Sequence, residues 1–375
     1  MKIARIEVSR HRIPLDPPFR PSWDTRARGR FEAVIVRVES DEGHVGYGSG
    51  DDMLGLEQHL DLFLGKDPLA LEQHYRYLAN LQFHYGRCWP LDIALWDLAG
   101  QITGQPVWRM LGGLSNRVRA YASSGTLRDP AAMADIAQRF KNEGFPAMKI
   151  RFHRADWRDD VRAVAAVRRA VGDDFVLMVD CNQGWRMAWD VATPWSLKDA
   201  LQVARALEDH GVYWMEEPLY RGDYEGMAQL RAATDLRIAG AEMTRELHEL
   251  KTLIDRGCLD VLQPDAVLVG GITGLRRIAI MAQEAGLVFT PHTWGNGIGL
   301  MANIHLAAGI AGSPYLEFPY DPPEWTPERR DFMFSDPITV DSEGWITLSD
   351  RPGLGLTLDD DVLKRTTPPG AARES

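Results

Sequence analysis

VLMVDCN (176–182), YWMEEP (213–218) and RIAGAE (237–242) decide the fold. Each is a short apolar run that ends in an acid: Asp180, Glu216 and Glu242. A buried strand has no reason to end in an unpaired carboxylate, because an isolated buried charge is costly. Three such groups converging on one rim repel one another unless a cation lies between them. Oxygen-only ligands of this kind suit a hard, octahedral dication such as Mg²⁺.

Outward from these three runs, strands are predicted at 118–124, 146–152, 175–181, 213–216, 237–241, 260–264, 287–291 and 315–318, with amphipathic runs between them. DDVRAVAAVRRAVG (159–172) places Val161, Val164, Ala165 and Val171 on one helical face and stops at Gly172. SLKDALQVARALEDHG (196–211) opens on Ser196 with Asp199 three residues on, a capping pattern, and repeats Leu197, Leu201, Ala204 and Leu207. GLRRIAIMAQEAG (274–286) stops at Gly286. Eight strands alternating with helices predict an α/β fold, a (β/α)8 barrel of TIM type, whose chemistry lies at the C-terminal strand ends.

The flanks differ. Residues 1–118 predict an α+β capping unit, with strands at Lys2–Val8, Ala33–Ser40 and after Asp41, and a Pro- and Arg-rich loop, PLDPPFRPSWDTRARGR (14–30). The barrel spans 119–325, residues 326–375 return to the capping unit, and the tail 366–375 is expected to be disordered. A net charge of −11 without a basic stripe excludes nucleic acid as partner. Cys88, Cys181 and Cys258 form no C-x-x-C pair, which excludes a disulfide framework or zinc site and fits a reducing compartment. With no signal core and no apolar span, a cytoplasmic chain with no membrane partner is expected.

The remaining strand ends carry Lys149, Arg151, Asp265, His292 and Glu317. Residues two apart share a strand face, so Lys149 points with Arg151 and Asp180 with Asn182, while Cys181 turns into the strand–helix layer. The set K-I-R (149–151), D-C-N (180–182), E-E-P (216–218), G-A-E (240–242), Q-P-D-x-x-x-x-G-G-I (263–272) and P-H (291–292), with I-A-L-W-D (93–97) and L-G-G (111–113), resembles the enolase superfamily in its mandelate racemase/muconate lactonizing enzyme-like branch. The resemblance implies a capping domain over a modified barrel, Mg²⁺ on Asp180, Glu216 and Glu242, removal of the proton α to a substrate carboxylate, and a homo-oligomer. His292 is then the base, oriented by Asp265. Lys149 helps the substrate carboxylate carry charge or serves as a weak second base, Glu317 donates to that carboxylate when protonated or else pairs with Lys149, and Asn182 and Glu217 lie close behind the ligands.

One position departs from the pattern. Many relatives carry Lys-x-Lys, the second lysine acting as base on the opposite face; here that position is Arg151. Neutralising a guanidinium at pH 7 costs roughly 7 kcal/mol, at about 1.36 kcal/mol per unit over at least five units. A general base contributes ~10²–10⁴ in rate, about 3–5 kcal/mol. Arg151 is therefore expected to clamp substrate oxygens. One competent base suits β-elimination of water better than racemisation, so a sugar-acid (aldonate or aldarate) dehydratase giving a 2-keto-3-deoxy acid is expected. The rivals are an epimerase or lactone cycloisomerase on the same scaffold, and a non-catalytic sugar-acid binder. For specificity, Trp23 and Arg20 in the lid loop, with Arg26, Arg28 and Arg30, are set against substrate, one arginine holding a distal carboxylate or the loop simply meeting solvent. Trp185 and Trp294 follow site-bearing strands, and Asn296 and His305 are further polar candidates.

Overall fold

The computed structural model describes residues 1–310 and 312–368. Strands β1 (Ile3–Phe19), β2 (Arg28–Ser40) and β3 (Val45–Gly50) form an antiparallel sheet in that order. Helices α1 (Leu71–Tyr85) and α2 (Trp89–Thr103) cover it. α2 rests directly on β3: a Cβ at Gly48 would lie 1.9 Å from Pro90 O, and one at Gly46 2.3 Å from Ala94 O. Glycine there is what lets helix and strand backbones meet.

The expected loop 14–30 is a correction. β1 runs on to Phe19 and β2 starts at Arg28, so only residues 20–27 turn. β1 is an edge strand and its register shifts between Pro14 and Phe19, so the prolines in this stretch sit where a ladder tolerates them.

After α3 (Val107–Met110) the chain alternates: β4 (Arg117–Ser123), α4 (Pro130–Asn142), β5 (Ala147–Arg151), α5 (Trp157–Val171), β6 (Val176–Asp180) and α6 (Leu197–Glu208). Next come β7 (Val212–Glu216), α7 (Tyr224–Ala232), β8 (Arg237–Gly240), α8 (Leu247–Asp255), β9 (Val261–Leu262) and α9 (Gly271–Glu284). β10 (Val288–Phe289), α10 (Gly297–Ile310) and β11 (Leu316–Pro319) complete the repeat. All eight predicted barrel strands are present. They pair in parallel from β4 through to β10, with β11 on the other side of β4. Hydroxyl bonds link β10 to β11: Thr290 Oγ1 donates to Tyr315 O at 2.6 Å and Thr293 Oγ1 to Glu317 O at 2.7 Å. β4 begins at Arg117, so the unit boundary expected at 118/119 falls inside a strand.

The two-residue strand period builds the interior in layers. Tyr121, Ala147, Met178 and Trp214 fill the barrel in one apolar layer. Two residues on, Ser123, Lys149, Asp180 and Glu216 form the polar layer above it, fully buried. Outside, the helices bury their apolar faces against the strands in one large core that includes Cys181. Ser196 caps α6 in the expected box with Asp199. The face of α5 is rotated from the predicted one. Asp160, Ala163, Val164, Val167 and Val171 are buried, with Val161 and Ala165 at its margin. Arg154 draws Asp160 inward by an ion pair and a backbone bond of 3.1 Å.

The C-terminal segment serves both units. After α11 (Pro327–Arg330), β12 (Trp345–Thr347) pairs antiparallel with β4. α12 (Asp360–Thr366) packs on β1, where the Thr366 hydroxyl meets His11 Nδ1 at 3.1 Å. Thr366 is therefore helical and residues 367–368 follow it, while 369–375 of the tail expected to be disordered lie outside the described residues. Among the described residues no helix is long and apolar enough to cross a membrane.

Candidate active site

Asp180, Glu216 and Glu242 come together as β6, β7 and the end of β8 deliver them: one oxygen of each lies within 4.8 Å of the others. The backbone is forced into this arrangement. Among the described residues, the non-glycine residues with positive φ are Asn182 (50°), Glu217 (47°) and Ala241 (97°), each one or two residues from a triad member. Left-handed backbone is unfavourable for residues with a Cβ and persists where surroundings impose it.

Lys149 and Arg151 face this triad from β5. Lys149 Nζ lies 2.7 Å from Glu216 Oε1, 2.7 Å from Glu317 Oε1 and 3.9 Å from Asp180 Oδ2. Arg151 pairs with Asp180, donates from Nε to Ser124 O at 2.9 Å, and reaches Ser123 Oγ at 3.2 Å. Its guanidinium lies over the rings of both Trp23 (4.8 Å) and Trp294 (5.3 Å). Burial pulls both cations' pKa values down, but the carboxylates outweigh it, so both end above their ordinary values. Neither is a free base.

His292 stands across from them. Its Nδ1 meets Asp265 Oδ2 at 3.1 Å, and its Nε2 lies 3.2 Å from Glu242 Oε2 and 3.8 Å from Glu317 Oε2. Burial lowers the imidazole, yet Glu242, Glu317 and Asp265 together raise it to about 9. Of the two readings of Glu317, the geometry favours the ion pair: burial pushes its carboxyl up, but Lys149, His292 and Arg151 hold it well below the usual range.

The charges do not balance. Asp180, Glu216, Glu217, Glu242, Asp265 and Glu317 are buried beside two permanent cations, Lys149 and Arg151. Burial raises Asp180 and Glu216 despite both cations, and raises Glu217 strongly, with Glu242, Asp180 and Glu216 adding to it. Among the described residues, Glu217 Oε2 has no hydrogen-bond partner, and Glu242 Oε2 lacks an aligned one although His292 is near. An all-oxygen, electron-rich cluster with unspent acceptors fits a divalent cation of the Mg²⁺ type.

Above the cluster lies a cavity of about 520 Å³. Arg151, Asn182, Glu242 and His292 reach it from the barrel, and Trp23 and Trp294 line it too. Asn182 also accepts from Ser22 Oγ at 3.3 Å, which ties the lid turn to the rim. Trp185 lines the cavity and donates to Glu242 Oε1 at 2.6 Å. Arg20 is a correction: it is exposed and absent from the lining, which takes Arg28 and Arg30 instead. Asn296 and His305 are corrections as well. Asn296 accepts from the first turn of α10 and donates to Ser49 Oγ at 2.7 Å. His305 accepts from Trp108 N at 2.9 Å and reaches Leu354 O at 3.3 Å, so it is a packing residue.

Three contributors escaped the sequence reading. Ser123 donates to Glu317 Oε1 at 2.7 Å and accepts from Arg151 and from Trp294 Nε1 at 3.2 Å. It ends the first barrel strand, but a serine gives no charge to notice. Gln263 donates to Glu216 Oε2 at 3.0 Å. Asn303 donates to Asp265 Oδ1 at 2.8 Å and to His292 O at 3.1 Å, and accepts from Ala266 N at 3.0 Å. A lone amide in the apolar run IGLMANIHLAAGI was the available signal.

Residues 3–112 match the family described as mandelate racemase / muconate lactonizing enzyme, N-terminal domain, and residues 132–362 that described as enolase C-terminal domain-like. The chain is 28% identical over 354 residues to an arabinonate dehydratase of Saccharolobus solfataricus, covering 89% of this chain and 90% of the relative. It is 30% identical over 385 residues to a 3,6-anhydro-alpha-L-galactonate cycloisomerase of Streptomyces coelicolor, covering 97% and 99%. The solved D-glucarate dehydratase of Agrobacterium tumefaciens, complexed with magnesium, superposes with a TM-score of 0.85 at 25% identity, covering 98% of this chain and 99% of that one. With these matches spanning both units and the acid triad in place between them, the chain belongs to the mandelate racemase/muconate lactonizing enzyme branch of the enolase superfamily.

Proposed function

We propose that this protein is a Mg²⁺-dependent sugar-acid dehydratase that converts its substrate to a 2-keto-3-deoxy acid. The observation that carries the reading is an asymmetry: an Asp265–His292 pair on one side of the triad, and on the other two cations tied up in ion pairs. Asp180, Glu216 and Glu242 would hold the ion. When bound it supplies positive charge against the negative charge that develops on a substrate carboxylate as its α-proton leaves.

The protein's own groups do the rest. Asp265 accepts from His292 Nδ1–H, and Nε2 takes the α-proton in the neutral form, which the imidazole would reach with a dication offsetting the Glu242 charge that raises it. The C–H bond breaks and an N–H bond forms. Lys149 and Arg151 face the enolate side with charge that cannot be discharged at neutral pH. The β-carbon–oxygen bond then breaks, and the proton on Nε2 leaves with the hydroxyl as water. The enol that remains gains a proton at C3, loses the one on its C2 oxygen and becomes the 2-keto acid.

A cycloisomerase is the second reading, favoured by the 30% identical relative. It would share the proton abstraction and differ in expelling a ring oxygen. An epimerase needs a second acid/base, and Lys149 is buried between Glu216 and Glu317. The test is a panel of hexonates, pentonates and aldarates with Mg²⁺ in D2O, assayed for 2-keto-3-deoxy acids and for α-deuterium. Deuterium entering an otherwise intact substrate, with no keto acid formed, would end the dehydratase reading.

A further inference from the structure

The cavity has two ends of opposite character. Charged and polar groups meet it at the barrel. At the lid its walls are Leu15, Phe19, Trp23, Phe31 and Trp325. These rings brace one another: centroids lie 5.3 Å apart for Phe19 and Trp325, 4.9 Å for Phe31 and Trp325, and 6.0 Å for Phe19 and Trp23. The wall is therefore set before any ligand arrives, a form of preorganisation that lowers the cost of binding.

The charged residues at this end are Arg28, Arg30 and Glu32, which stand two apart on one face of β2. Both arginines already face an acid. Arg28 lies 3.5 Å from Asp24, and Arg30 lies 2.9 Å from Glu32, which Arg12 also meets at 2.8 Å. Glu32 itself puts negative charge on the wall. Arg26 is drawn away over the Trp189 ring, 3.9 Å from its centroid, and Arg20 stands outside. A second substrate carboxylate here would lose water against aromatic rings and would compete with Asp24 and Glu32 for Arg28 and Arg30.

We infer that the substrate is a monocarboxylic acid whose distal end is uncharged and presents apolar C–H surface to the aromatic wall, rather than a diacid. That surface is either the terminal methyl of a deoxy sugar acid or one face of a closed sugar ring. An open-chain polyol turns hydroxyls to every side, whereas a methyl or a ring face lies flat on an indole and leaves its polar edge to the rim. The inference rests on the reading of this cavity as a sugar-acid site.

The experiment uses the full chain with MgCl2 and compares, within each stereochemical series, the hexarate, the 6-deoxyhexonate and the 3,6-anhydrohexonate. Binding is followed by quenching of tryptophan fluorescence, and turnover by formation of a 2-keto acid. At least one uncharged-end monoacid is expected to bind roughly 30-fold more tightly than the tightest hexarate, a ratio of the size that a desolvated, incompletely paired carboxylate imposes. The methyl and ring arms tell the two sources apart. Glu32→Gln, a half-exposed change on the strand surface, is expected to raise hexarate affinity several-fold relative to the monoacid by freeing Arg30. A hexarate that binds as tightly as every monoacid, a Glu32→Gln variant with an unchanged ratio, or a panel in which nothing binds overturns the inference. Binding in the expected order with no 2-keto acid formed from any compound overturns the dehydratase reading and leaves this inference standing.

Discussion

Glu242→Gln separates a metal site from a mere cluster of acids. In the wild type, Mg²⁺ at 100 times its Kd stabilises the folded chain by about 2.7 kcal/mol. Unfolding entropy of roughly 2.1 cal/mol/K per residue over 375 residues gives about 0.8 kcal/mol/K, so Tm should rise by about 3–4 °C. The amide keeps an oxygen for the Trp185 indole N–H, now 2.6 Å from Glu242 Oε1, so the local fold has no reason to change. What goes is one of three anionic ligands. Even at an effective dielectric near 20, a unit charge a few ångströms from a dication is worth several kcal/mol, so affinity should fall at least ~100-fold. The Mg²⁺ concentration that saturated the wild type then only reaches the variant's Kd, which leaves about 0.4 kcal/mol and a shift below about 1 °C. Differential scanning calorimetry with chelator, then with Mg²⁺ restored, reads both. An unshifted wild type, or a variant that shifts as much as the wild type, would refute the assignment of Asp180, Glu216 and Glu242 as a metal centre.

Three further outcomes are expected. His292→Asn should keep the Mg²⁺-dependent Tm shift and lose α-deuteration by at least ~10²-fold; undiminished exchange would remove His292 as the base. Asn303→Ala frees Asp265 and the His292 carbonyl and leaves Ala266 N–H buried and unpaired, so kcat should fall about 10-fold or more with KM little changed, and a matched loss in KM alone would count against a positioning role. His305 has its pKa lowered by burial from 6.5 to about 3, so between those values the unfolded chain binds the extra proton and stability falls as pH drops. At pH 5 this amounts to about 2 kcal/mol, and urea melts at pH 7.5 and 5 should show the loss shrink in His305→Gln, whose amide can serve Trp108 N and Leu354 O.

The triad was legible because its signal is local. An apolar run of strand length that ends in an acid says where the side chain lies, and three in succession say that they share a rim. The Asp265–His292 pair followed from neighbouring strands by the same logic. The lid was misread at one point, with consequences. Taking 28–30 as loop hid that Arg28, Arg30 and Glu32 alternate on a strand and so line one wall, while Arg20, equally basic in the sequence, lies outside. The prolines that suggested a loop were compatible with an edge strand, and edge position is a property of the sheet. Ser123, Gln263 and Asn303 were missed for a related reason. Each is neutral, and each matters through a partner on a different element.

The site is also where the molecule departs most from its own best stability. Among the described residues, the non-glycine residues with left-handed backbone cluster at the ends of the three acid-bearing strands, and six carboxylates are buried around two permanent cations. Neither feature helps the chain to fold: strain of this kind costs about 1–3 kcal/mol per residue, and like charges in a dry interior repel. The apolar layer of Tyr121, Ala147, Met178 and Trp214 beneath the site, and the helix–strand core outside it, are built without such conflicts. Holding Asp180, Glu216 and Glu242 in place is thus work done by the rest of the barrel. It follows that neutral substitutions in the triad should leave the fold intact or firmer while removing ion binding, so stability and activity would move in opposite directions there, whereas substitutions at Trp214 or Met178 would lower both together.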